Sequence, residues 1–118
     1  MNNKKENSNE KMIDPQLLLK PKSLNELAKS INENYNYKKN SLSADGNAVS
    51  KLYEINSLSS VVVSSTNTGS VFQVVILMPK YNSEVIFDTL IKNFGLNKID
   101  GKTTILANNM TYEYASDD

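Results

Sequence analysis

Gly101-Lys102-Thr103 is the stretch of this chain that comes nearest to a chemical motif. Gly-Lys-Thr closes the phosphate-binding loop Gly-x-x-x-x-Gly-Lys-Ser/Thr, whose backbone N–H groups cradle phosphates while the lysine reaches them. In that loop the position of Leu96 would be glycine, and Gly95 stands one residue too early. The flanks are reversed as well. An apolar-periodic segment precedes the glycine and the β-branched run Thr103-Thr104-Ile105 follows the lysine. A phosphate cradle needs a helix N-terminus there, because its free N–H groups point at the ligand. Asp100-Gly101 reads better as a tight hairpin turn, and no cofactor is expected.

The remaining residue types offer little catalysis. The chain has no His, Cys, Trp or Arg. That removes the usual neutral-pH base, the thiolate nucleophile and the commonest metal ligands. Glu54, Glu84, Asp88, Asp100, Glu113, Asp117 and Asp118 show no spacing that pairs two carboxylates. Glu84 and Asp88 are one helical turn apart, opposite an apolar face, and read as solvated charge. A non-enzymatic protein without a metal site is expected.

Three binding classes stay open. A helix–turn–helix would use "SLNELAKSI" and "NAVSKLYEI", with a β-hairpin wing and phosphate contacts from Lys29, Lys38, Lys39 and Lys51. The gap between those segments is longer than the motif's short turn, and arginine, the commonest base reader, is missing. An RRM-like sheet would stack bases on Phe72 and Tyr35 or Tyr37. Phe72 lies in an apolar run, however, and is expected in the core. The third class is protein binding. Leu17-Leu18-Leu19 form an apolar patch in a polar segment, and Tyr112 and Tyr114 lie near an acidic end. Such patches dock on a partner or on the chain's own domain.

The length and charge are consistent with a small binding protein. One domain of ordinary size fits 118 residues. Formal net charge is zero, with nine Lys against six acids over residues 1–51 and four Lys against seven over 52–118. This is no nucleic-acid patch. Met1 to Lys11 lacks a signal peptide's apolar region, and no apolar run approaches membrane-spanning length, so a cytoplasmic protein is expected. All 13 cations are Lys and 17 residues are Asn, a bias of AT-rich genomes. A phage- or plasmid-encoded accessory protein fits that composition.

The elements follow from periodicity. Residues 1–22 read as a flexible basic tail and residues 23–118 as a single α+β domain. Ser23 and Glu26 make a capping box, and Leu24, Leu27, Ala28, Ile31 and Tyr35 share one helical face. Residues 34–42 permit a strand through alternating Tyr35 and Tyr37. Val49, Leu52 and Tyr53 at helical spacing predict a second helix over 47–57. "LSSVVVSS" and "SVFQVVILM" around "TNTG" predict a hairpin, its second strand central because it is apolar on both faces. Asn82 or Ser83 caps the next helix, which ends at Gly95 with Leu96 packing back. Residues 103–108 form a last strand, and 110–114 continue it or pair back on it. The resulting fold is ferredoxin-like (split βαβ) or αββαβ, an antiparallel sheet with helices on one face, preceded by the tail and an amphipathic helix. Its open sheet edge makes a homodimer plausible.

Overall fold

The computed structural model describes residues 12–43, 45–99, 102–107 and 110–114. In chain order these residues form α1 (Gln16–Leu19), α2 (Leu24–Asn34), β1 (Asn36–Leu42), β2 (Ala48–Asn56), β3 (Ser59–Thr66), β4 (Val71–Leu77), α3 (Lys80–Phe94), β5 (Asn97–Ile99), β6 (Lys102–Ala107) and β7 (Met110–Glu113). Strands β1-β2-β3-β4 make one antiparallel meander, and β5-β6-β7 make a separate three-stranded sheet.

Helix α2 starts where the capping box predicts. Ser23, in extended conformation, accepts from the Glu26 N–H at 3.1 Å. The Glu26 carboxylate reaches back to the Lys22 N–H at 3.0 Å, one residue before the cap. Leu27 and Ile31, one turn apart, are buried. Tyr35 turns extended and the chain enters β1 at once.

Over residues 47–57, where a helix was expected, Ala48–Asn56 form strand β2. The segment satisfies both periods: Val49, Lys51, Tyr53 and Ile55 also alternate with Ser50, Leu52, Glu54 and Asn56. A short apolar run cannot choose between the two by itself. Hydrogen-bonded ladders to β1 on one side and β3 on the other decide it.

The α+β class holds, but the strand order is not ferredoxin-like. The expected fold puts residues 103–108 in one sheet with the 59–78 hairpin. Strand β6 pairs instead with β5 and β7, its sequence neighbours. Short connections close at low entropic cost, whereas joining the larger sheet would need a long crossover. Strand β4 is an edge of its sheet and not the expected centre.

One face of the four-stranded sheet holds the core. Opposed residues in an antiparallel ladder share a face and successive residues alternate. Tyr37, Tyr53, Val61 and Ile76 therefore form one inner row, and Val63 and Val74 lie in the next. Tyr53, Val61 and Val63 are buried together with Leu27 and Ile31 of α2 and Ile86 and Leu90 of α3. The second sheet adds Ile105 to that cluster. Phe94 stacks on Tyr112 with ring centroids 6.2 Å apart, and Phe87 meets Tyr114 at 5.4 Å.

Residues 12–22, read from sequence as part of the tail, join this core through Ile13 and Leu18. The rest of that segment, residues 1–11, lies outside the described residues. Asn82 is what holds Ile13. Its carbonyl oxygen accepts from the Ile13 N–H at 2.6 Å, and its amide nitrogen donates to the Ile13 carbonyl at 3.2 Å. Asn82 is thus a buried residue of α3 and not its cap. Pro79 takes the N-cap position, with no side-chain bond. At the other end Gly95 has φ 87° and donates to the Ile91 carbonyl at 2.8 Å. Leu96 does not pack back; it is half exposed.

Candidate interaction surface

Of the residues that first suggested nucleotide chemistry, Lys102 and Thr103 lie in a strand pairing. Lys102 opens strand β6, opposite Ile99. A strand therefore follows the lysine where a phosphate loop has a helix. The expected turn residues Asp100 and Gly101 lie outside the described residues.

The apolar tail patch is spent inside the molecule. Leu18 is buried, and Leu17 and Leu19 pack against the core. The Tyr112 hydroxyl donates to the Leu18 carbonyl at 3.0 Å. Burial raises the ionisation of that hydroxyl above its usual value. Tyr114 is half-buried against Phe87. Of the residues singled out as partner contacts, Leu18 is buried in the core and Leu17 and Leu19 pack against it, while Tyr112 meets Phe94 and the Leu18 carbonyl and Tyr114 meets Phe87 of α3.

The four lysines are dispersed. Lys29 lies on α2, and Lys38 pairs with Glu54 at 3.2 Å. Lys39 stands opposite Leu52 and Lys51 opposite Val63, which puts them on opposite faces of the sheet. "NAVSKLYEI" is β2, so the recognition helix of a helix–turn–helix is not formed.

An open cleft of about 530 Å³ runs between the N-terminal segment and α2, lined in part by Asp14, Lys20, Glu26 and Tyr35. Its two carboxylates serve backbone: Asp14 accepts from the Gln16 N–H and Glu26 from the Lys22 N–H. Burial, then the Asp14 charge, raises the Tyr35 ionisation. Among the described residues no three acidic side chains gather as a metal site. No helix among them is long and apolar enough to cross a membrane.

The outer face of the four-stranded sheet has the surface that sequence reasoning missed. Leu52, Val62 and Val75 stand opposite one another on β2, β3 and β4. Leu77 follows Val75 on the same face. Phe72 is the extra residue of a bulge, where Ser64 pairs with Gln73 but Ser65 pairs with Val71. The bulge turns Phe72 outward with Gln73. Phe72 is 54% exposed, Val75 39% and Leu77 56%. Leu52 and Val62 are half-buried yet outside the core cluster. Ser50, Ser64 and Gln73 border this stripe on one side, and Glu54 and Ser60 on the other. The Ser50 and Ser64 hydroxyls share a hydrogen bond of 2.9 Å. Phe72 was expected in the core. The bulge is the physical reason it is not, because one extra residue re-aims the side chain.

No family model, curated protein or solved structure matches this chain.

Proposed function

We propose that this protein acts without catalysis, by binding another protein through the outer face of its four-stranded sheet. The observation that carries this reading is the stripe Leu52–Val62–Val75 with Leu77 and Phe72, apolar across three strands and edged by Ser, Gln, Glu and, beside Leu52, Lys39. Contiguous exposed apolar surface with a polar rim is the anatomy of a contact surface. Lys39, opposite Leu52, adjoins the stripe at its β1 end, and Lys38 is drawn to Glu54.

The test compares baits in the native host. The full chain and its Phe72→Asp variant are immobilised, and captured proteins are eluted with and without nuclease. Phe72 is exposed, so the variant is expected to fold. A partner that survives nuclease and is lost by Phe72→Asp supports the reading. A partner held equally by both baits overturns the assignment of the surface. Retention that vanishes with nuclease and falls steeply with salt marks a nucleic-acid binder instead.

A further inference from the structure

We infer that a second copy of this chain docks on the free edge of β4, joining two four-stranded sheets into one antiparallel sheet of eight. The inference concerns the strand edge and goes beyond the reading of the outer face.

Among the described residues strand β4 pairs on one side only, with β3. Its first residue, Val71, is taken up by α2. The Asn25 carbonyl oxygen accepts from the Val71 N–H and its amide nitrogen donates to the Gly69 carbonyl, both at 3.2 Å. The bulge follows at Phe72, so the regular stretch left for a new neighbour is residues 73–77, Gln-Val-Val-Ile-Leu.

That stretch is complementary to itself. Antiparallel pairing about a two-fold axis through Val75 sets Gln73 opposite Leu77 of the other copy and Val74 opposite Ile76. Gln73, Val75 and Leu77 face outward and Val74 and Ile76 inward, so every opposed pair shares a face, as a ladder requires. No charge lies within 73–77, so pairing sets no like charges together. The other edge of the sheet differs. Strand β1 carries Lys38 and Lys39, the kind of charge that blunts an edge. Strand β4 has no such guard between its bulge and Pro79. Residues 1–11, MNNKKENSNEK, and 115–118, ASDD, hold only Met1 and Ala115 as apolar side chains, so neither sequence matches the apolar run of 73–77. Pairing would also bring the two exposed stripes onto one continuous sheet.

The test uses the absence of cysteine from the chain. A two-fold axis through Val75 places its Cα about 4.5–5.5 Å from its equivalent, inside the about 4.4–6.8 Å that disulfides span. Under mild oxidation Val75→Cys is expected to give a disulfide-linked dimer, while Ser41→Cys at the opposite edge stays a monomer. In sedimentation the wild-type chain is expected at twice its monomer mass, and Val75→Lys, which opposes two cations, at the monomer mass. A wild-type chain that stays monomeric up to its solubility limit overturns the inference. So does a dimer that Val75→Lys leaves intact, or equal cross-linking at the two positions. If Val75→Lys fails to fold, the cysteine pair still decides. A monomer that keeps its Phe72-dependent partner sinks the dimer and leaves the proposed function standing. A dimer whose partner ignores Phe72→Asp does the reverse.

Discussion

Asn82 and Ile13 are 69 residues apart in sequence and exchange two hydrogen bonds, with the whole Asn82 side chain withdrawn from solvent. An asparagine amide offers one acceptor and two donors, enough to satisfy both backbone groups of one residue. This clasp seats the N-terminal segment on α3 and lets Ile13 and Leu18 enter the core.

Asn82→Ala leaves the Ile13 N–H and carbonyl without these partners in a buried site. Each buried polar group left unpaired costs about 1–3 kcal/mol. The variant is expected to show a lower denaturant midpoint. Amide exchange over residues 12–20 should accelerate more than in β2 or β3, because the clasp holds that segment. Uniform acceleration across the chain would mean that the N-terminal segment is not separately held.

How much of this was legible from sequence depended on how local the cause is. Helix α2 was, because Ser23, Glu26, Leu27 and Ile31 act within three turns of each other. The β3–β4 hairpin was as well, since its β-branched runs flank a turn. Strand β2 was not, because Val49, Leu52 and Tyr53 fit a helix while Val49, Tyr53 and Ile55 fit a strand, and two neighbouring ladders settled the matter. Asn82 at a helix start looks like a cap from sequence, and only a contact across 69 residues makes it a clasp.

The candidate surface was hidden for a different reason. An apolar strand such as Val71–Leu77 looks the same whether its second face meets a helix or solvent. Phe72 compounds this. The bulge that exposes it is a mismatch between two strands, a property of the pairing and not of either sequence. Leu17 to Leu19, by contrast, were visible as an apolar patch, but sequence left open whether a partner or the chain itself covers them. In the structure the chain's own core does.

Ser23→Ala removes the acceptor for the Glu26 N–H at the start of α2. Losing such a cap costs about 0.5–2 kcal/mol. Ser23→Asp keeps an acceptor at the cap and is expected to hold near wild-type stability in the same urea titration. Equal destabilisation by both would show that the hydroxyl contributes through something other than capping.

Lys102 begins a strand, so the Gly-Lys-Thr stretch is expected to bind no nucleotide. A fluorescent ATP analogue with Mg²⁺ should show no saturable binding to the wild-type chain, and Lys102→Ala should leave the titration unchanged. Saturable binding that disappears in Lys102→Ala would restore the phosphate-loop reading.

Alkaline pH is expected to destabilise the fold through buried Tyr53 and half-buried Tyr35 and Tyr112. Burial raises the ionisation of Tyr35, Tyr53 and Tyr112 above the ordinary value of 10.0, with Asp14 adding to the first and Tyr37 to the second. A proton held more tightly in the folded form than in the unfolded one stabilises the fold fully below pH 10.0. As pH climbs through that value the unfolded chain releases its tyrosine protons first, and stability falls until the folded form has ionised too. Tyr112→Phe removes one of these groups along with its bond to the Leu18 carbonyl. The variant should lose about 0.5–1.5 kcal/mol at neutral pH, the net worth of one hydrogen bond, and decline less steeply in alkali. Urea midpoints measured between about pH 8 and 11, spanning the tyrosine range, check both. An alkaline slope unchanged by Tyr112→Phe would rule out a contribution from this hydroxyl, because the folded and unfolded states would then release its proton at the same pH.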